Sequence, residues 1–210
     1  MNEAVKTINR IRIARLAEKL EANNFGVTAV ETGADALAFL QREIPKQASI
    51  GVGGSVTLDQ IGAITWLTGN ADYRFFDRYH TDDRKQCFRD SLSADVYLMS
   101  TNAITLDGML YNIDGTGNRL AALLYGPDKV YVIAGVNKIV KSLEEAQLRL
   151  EQLAAPANNV RLGRDNPCTQ LGECAHCSKP TTICNQYVVT RRSYEKGRIH
   201  VILVNEELGY

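Results

Sequence analysis

The sequence has no excess of either charge: Lys plus Arg number 24 and Asp plus Glu number 24, so the formal net charge is zero. A global electrostatic footprint for nucleic acid is missing, and the balance favours a small ligand or a protein partner. Any long uncharged apolar run is also absent. The opening MNEAVKTINRIRIARLAEKLEANNFG interleaves charges with Val5, Ile8, Ile11, Ile13, Leu16 and Leu20. That pattern excludes a signal-peptide core and a membrane span, and it places the chain in the cytoplasm, where structural disulfides are rare. The three histidines show no ligand spacing. Neither Gly-x-x-x-x-Gly-Lys nor a full Gly-x-Gly-x-x-Gly occurs, which argues against a nucleotide P-loop and a dinucleotide fingerprint.

What is present is an ordinary globular composition, 45% hydrophobic and 23% charged, over 210 residues, a length suited to one α/β domain. Apolar groups recur at three- and four-residue intervals over residues 3–22, predicting an amphipathic N-terminal helix that Asn23, Asn24 and Gly26 terminate. Strand-like runs follow at 27–30, 49–52, 73–76, 94–99, 129–134, 186–190 and 199–204. Helical segments are expected at 33–43, 57–67, from Thr81 or Asp82 to Leu92, and at 142–153, the last opened by a Ser142/Glu145 capping box. This alternation predicts a mainly parallel, Rossmann-like sheet with helices on both faces. Residues 156–185 lose periodicity and read as a cysteine-rich loop.

Two segments carry site chemistry. Gly51-Val52-Gly53-Gly54-Ser55-Val56-Thr57 lies where a strand turns into a helix, a place where parallel sheets bind ligands. Bare backbone at Gly53 and Gly54 with the hydroxyls of Ser55 and Thr57 suits an anion; the competing reading is a tight turn with no ligand. Residues 100–119 form the densest polar stretch, with a hairpin signal at Asp107-Gly108 and a turn at Asp114–Asn118. Asn102, Asn112, Gly117 and Asn118 are candidate ligand-binding residues there, and Arg119 is a candidate fork onto an anion. Asn, Asp and Gly also make turns without any ligand. Asn137 and Lys138 end a third strand in a similar Gly-rich setting.

The run ADVYLMSTNAITLDGMLYNIDGTGNRLAALLYGPDKVYVIAGVNKIV resembles the LUD domain, named for lactate utilization and formerly a domain of unknown function. The likeness extends through GVGGSVTLDQIG upstream and through PANNVRLG, the cysteine loop and NEELGY downstream, roughly residues 10–210. It implies one LUD-like domain with the fold of ribose-5-phosphate isomerase, glucosamine-6-phosphate deaminase and CoA transferases. In sugar-phosphate members of that group a Gly-Ser-Thr loop holds phosphate, and Gly53–Thr57 looks similar. Ala94-Asp95 before the Asn-rich turn is similar to the methylthioribose-1-phosphate isomerase pattern. LUD proteins accompany an iron–sulfur lactate-oxidising system in many bacteria, which implies a role in lactate or hydroxy-acid utilization.

Cys168, Cys174, Cys177 and Cys184 are spaced Cys-x5-Cys-x2-Cys-x6-Cys, and four thiolates suit zinc or an iron–sulfur cluster. Disulfides and unligated thiols are the alternatives. Cys87 reads as an ordinary core thiol. Two functions follow. The first is an enzyme or enzyme subunit acting on a small anionic metabolite, with Asp107 or Asp114 as catalytic carboxylates and Lys138 and Arg119 stabilising negative charge. The second is a non-catalytic accessory or sensor whose metal-stabilised loop binds a protein partner. Apolar residues near both ends leave room for a homodimer.

Overall fold

The computed structural model describes residues 2–210. Its elements in chain order begin with α1 (Glu3–Ala22), β1 (Gly26–Val30), α2 (Gly33–Glu43) and β2 (Ser49–Val52). There follow α3 (Val56–Gln60), α4 (Ala63–Leu67), β3 (Arg74–Phe75), α5 (Arg84–Asp90) and β4 (Val96–Ser100). Next come β5 (Ala103–Thr105), β6 (Leu110–Asp114), α6 (Asn118–Leu124), β7 (Lys129–Gly135) and β8 (Ile139–Val140). The chain closes with α7 (Leu143–Arg149), α8 (Ala155–Arg161), α9 (Cys168–Leu171), β9 (Gln186–Thr190) and β10 (Ile199–Val204). No described helix is long and apolar enough to cross a membrane.

Six strands in the order β1-β10-β7-β4-β2-β3 form one sheet, every pairing parallel. The alternation of side chains explains its two covered faces. On one face Val130, Val132 and Ala134 of β7 join Val201 and Leu203 of β10 beneath Ile13, Leu16 and Leu20 of α1 and Leu120 and Leu123 of α6. On the other, Tyr131, Ile133, Ile202 and Val204 meet Ala36 and Leu40 of α2, Leu58 of α3 and Leu67 of α4. This is the expected α/β class. Leu16 and Leu20 are fully buried, so truncating either to Ala costs about 2–5 kcal/mol.

A second sheet, β8-β5-β6-β9, lies outside the sequence expectation. It is mixed: β5 pairs antiparallel with β6 and parallel with β8, and β9 runs antiparallel to β6. Ala103 and Tyr111 of this sheet pack on Ala146, Leu150 and Ala154. The anticipated hairpin at Asp107-Gly108 is its β5–β6 turn, with Gly108 at φ 85°.

Three helix boundaries differ from expectation. The segment 57–67 is two helices, because Gly62 at φ 78° breaks the run between α3 and α4. The helix cap near Thr81 is Asp83, whose carboxylate accepts from Gln86 N. The helix from Ser142 does not end before Pro156: α7 passes through a π turn at Leu150–Ala154 into α8. A π turn shifts the hydrogen-bond ladder, and proline in the first turn of the following helix needs no N–H. Residues 156–161 of the expected loop are therefore helical. At the start of α7 only half of the capping box forms. Ser142 Oγ accepts from Glu145 N, while the Glu145 carboxylate accepts from Lys141 N.

Candidate functional site

β2, β4 and β7 lie near one another in the sheet, with β4 between the other two, so their carboxyl ends open side by side. The segments that follow them, 53–57, 100–102 and 136–138, meet at a cavity of about 330 Å³. Gly54, Ser55, Thr57, Asn102, Asp114, Asn118, Arg119 and Lys138, all singled out in the sequence, line it. Arg78, Arg84, Arg161, Arg164 and Tyr210 also line it and were not anticipated. Among the described lining residues six cationic side chains face a single carboxylate side chain, Asp114. A chain of zero net charge thus concentrates positive charge at one mouth, which draws anions in.

Lys138 is the most constrained of these cations. Its side chain is 4% exposed, and Nζ stands 2.9 Å from Ser100 Oγ and 3.1 Å from Thr57 Oγ1. No described carboxylate pairs with it. Burial pushes its ammonium down to about 7, and the nearby charges of Arg149 and Arg119 push in the same direction.

Arg119 is engaged differently from expectation. Nη1 donates to Ser100 O at 3.0 Å and Asn112 Oδ1 at 2.7 Å; Nη2 donates to Asn102 Oδ1 at 3.2 Å and Ile113 O at 2.6 Å. All four terminal N–H groups serve the protein, so the anticipated fork onto an anion is occupied internally. Burial lowers the Arg119 pKa, with Asp114 opposing the shift. Its contribution to the pocket is charge and the fixing of β4 against β6.

The glycine loop has a mixed origin. A Cβ on Gly51 would stand 2.8 Å from Ser91 Cβ and Tyr97 Cδ2, and one on Gly53 would stand 3.0 Å from Arg119 Cδ. Gly53 therefore admits the arginine stem and does not itself line the cavity. Gly54, which does line it, backs onto the Arg78 guanidinium. Arg78 is in turn held 4.7 Å above the Phe88 ring. Ser55 caps α3, its Oγ accepting from Leu58 N at 3.3 Å.

The asparagines divide between lining and bracing. Asn102 Oδ1 accepts from Ile113 N and from Arg119. Asn112 is fully buried under Arg119, with Nδ2 left without a partner. Asn118 Oδ1 accepts from Thr116 Oγ1 at 2.5 Å, and Gly117 at φ 82° starts α6. Asn137 brackets the chain's last turn: Nδ2 donates to Leu208 O and Gly209 O, and Oδ1 accepts from Leu208 N. That turn brings Gly209 and Tyr210 to the cavity. Asp114 Oδ1 accepts from Gly115 N, and Oδ2 accepts from Leu120 N and lies 4.0 Å from Arg119 Nε. Asp107 is not brought to the pocket. It is exposed at the β5–β6 turn, takes a short hydrogen bond from Thr105, and its carbonyl accepts from Asn23 Nδ2 at the end of α1.

None of the four loop cysteines lines the cavity. Cys168 is buried in α9, Cys174, Cys177 and Cys184 are partly buried, and all are free thiols. Burial raises the thiol pKa of Cys168, and raises that of Cys184 to about 11, with the other cysteines of the loop adding to both shifts. Four thiols are the right donors for zinc or an iron–sulfur cluster. Among the described residues, however, no three Cys, His, Asp or Glu side chains converge as metal ligands do. The loop is tied to the pocket wall: Asn185 N donates to Asp114 O at 2.9 Å, Asn185 Nδ2 to Gly115 O at 2.9 Å, and Ile183 lines the cavity. Cys87 is buried on α5, as expected of a core thiol.

The fold and its strand-end cavity define an α/β protein with a pocket lined by cationic side chains. The LUD domain family model matches residues 13–204, and the chain belongs to that family. Its structure is similar to the crystal structure of a DUF162 family protein from Deinococcus radiodurans. The TM-score is 0.54 at 16% identity, covering 93% of this chain and 98% of that one, a likeness of fold. No curated protein matches.

Proposed function

We propose that the pocket binds a small anionic metabolite, in keeping with the association of LUD proteins with lactate and hydroxy-acid utilization. The observation that carries this reading is Lys138, a buried cation held by two hydroxyls with no carboxylate partner. An ammonium desolvated without a counterion is unfavourable on its own, and a bound anion supplies the missing charge. Arg78, Arg84, Arg161 and Arg164 at the mouth extend the same field toward solvent. Bound phosphate or carboxylate oxygens would meet Lys138 Nζ at the floor and the arginine forks at the rim.

The test is calorimetric titration with L-lactate, pyruvate, pyrophosphate and sulfate, each against wild type and Lys138→Met. Saturable binding that weakens about tenfold or more in the variant supports the reading. Equal binding to both proteins, or none to either, contradicts it.

A non-catalytic sensor or accessory is the second reading. One observation favours it: the described pocket lining contains no histidine and a single carboxylate side chain, Asp114. General acid–base chemistry between two titrating side chains therefore has few candidates, whereas anion binding has many. In that reading the cysteine loop, joined to the pocket through Asn185, carries ligand occupancy to a protein partner.

A further inference from the structure

The two hydroxyls beside Lys138 have their own protons committed. Ser100 Oγ lies 3.4 Å from Thr101 O, and Thr57 Oγ1 lies 3.4 Å from Leu208 O, each the donor to that carbonyl. Their remaining lone pairs face Lys138 Nζ, so both hydroxyls act as acceptors for it. A tetrahedral nitrogen bonded to Cε and donating two N–H groups to Ser100 and Thr57 has one position left. In the ammonium form that position is a third N–H, suited to an anion. In the amine form it is the lone pair. Lys138 borders the cavity, and the hydroxyls hold the nitrogen in a fixed orientation while leaving that last position free.

We propose that Lys138 is a nucleophile that forms a reversible imine with a carbonyl compound bearing an anionic group, a 2-oxo acid or a phosphorylated aldehyde or ketone. This rests on the pocket being an anion site, because the arginines then hold the charged end while the carbonyl meets Nζ. The Nζ lone pair adds to the carbonyl carbon as the C–O π pair moves to oxygen. Oxygen gains a proton and nitrogen loses one, giving a carbinolamine. Oxygen then takes up a second proton and leaves as water as the C–O bond breaks, the nitrogen lone pair forms the C=N bond, and nitrogen releases its remaining proton. One water is released, and no oxidant or reductant is needed. Burial supports the amine form at neutral pH by pushing the Lys138 pKa down, and the nearby charges of Arg149 and Arg119 push in the same direction.

The experiment incubates the whole chain at about pH 7.5 with pyruvate in one arm and dihydroxyacetone phosphate in the other. Borohydride is then added and the peptides are mapped by mass. Thermal shift with each compound, and with sulfate, reports binding separately. An amine titrating near 7 is mostly free at that pH, so the reduced adduct is expected at Lys138 on the order of a hundredfold faster than at surface lysines. It should be suppressed by sulfate and absent at position 138 in Lys138→Arg, a variant that keeps the charge. The arm that gives the adduct identifies the anionic group. Binding without an adduct at Lys138, or adducts spread evenly over surface lysines, overturns the imine and leaves the anion site standing. Neither binding nor adduct overturns both.

Discussion

Arg119 Nη1 donates to Asn112 Oδ1 at 2.7 Å, inside a wall where Asn112 is fully buried. Through this contact and three others the guanidinium joins β4, β6 and the turn after β4. Replacing Arg119 by Met strands several buried acceptors, and about 3–5 kcal/mol of stability should be lost. Lys at this position keeps the charge but cannot bridge four acceptors, so it should recover less than half of that loss. Urea unfolding checks both, and a change under about 1 kcal/mol for the Met variant would contradict the bracing role.

The two candidate carboxylates separate cleanly by position. Asp107 sits at the exposed hairpin turn by α1, so Asp107→Asn should leave sulfate and metabolite affinity unchanged. Asp114 is the one carboxylate side chain on the described pocket wall. Asp114→Asn keeps an acceptor for only one of Gly115 N and Leu120 N and removes a negative charge, so anion affinity should rise by roughly threefold to tenfold. Calorimetry on both variants decides this, and the reverse ranking would place the site elsewhere.

Acid stability is expected to depend on His200. Its Nε2 lies 2.8 Å from Thr28 Oγ1, and its ring sits against Phe39 and Tyr131. Burial lowers its pKa to about 4, with Lys129 adding and Glu43 opposing. The unfolded chain takes up this proton near 6.5 and the folded chain near 4. The contribution is therefore full above about pH 6.5 and is lost as pH falls through about 4, worth roughly 1–2 kcal/mol after solvent screening. In His200→Asn the slope of unfolding free energy between those pH values should flatten. An unchanged slope would rule His200 out.

For the cysteine loop we propose uptake of one metal, as zinc or an iron–sulfur cluster, with segment 168–184 closing to bring the thiols together. Anaerobically purified protein should then hold stoichiometric zinc, or iron with acid-labile sulfide and broad visible absorption. Cys184→Ser should lose the metal and, through Asn185, weaken anion binding a few-fold. Metal-free protein with every loop thiol open to titration would contradict the proposal.

The main sheet was legible because its strands are continuous apolar runs bounded by turn residues, KVYVIA above all. The second sheet was not, since β8 is two residues long and β5 three, too short for periodicity to register. Loops 53–57, 101–102 and 136–138 announced themselves through glycine, hydroxyl and amide residues beside strand ends. Arg78, Arg84, Arg161 and Arg164 gave no such signal: they come from separate segments and share only a place in space. Residue type also misled where one side chain has two uses. Asn137 and Arg119 are as polar as any ligand-binding residue, yet their hydrogen bonds hold the last turn and the sheet wall. The loss of periodicity from residue 156 suggested a loop where the helix instead shifts register and continues.

Titrating the protein with sulfate across pH tests the anion site most directly, because sulfate keeps its charge between about pH 6 and 9 and Lys138 does not. With the Lys138 pKa pushed to about 7, wild-type affinity should fall about tenfold or more over that range, with proton uptake on binding above neutrality. Lys138→Met should bind weakly throughout and show a flat profile. Affinity that is independent of pH, and equal in wild type and Lys138→Met, would contradict the assignment of Lys138 as the cation that holds the ligand.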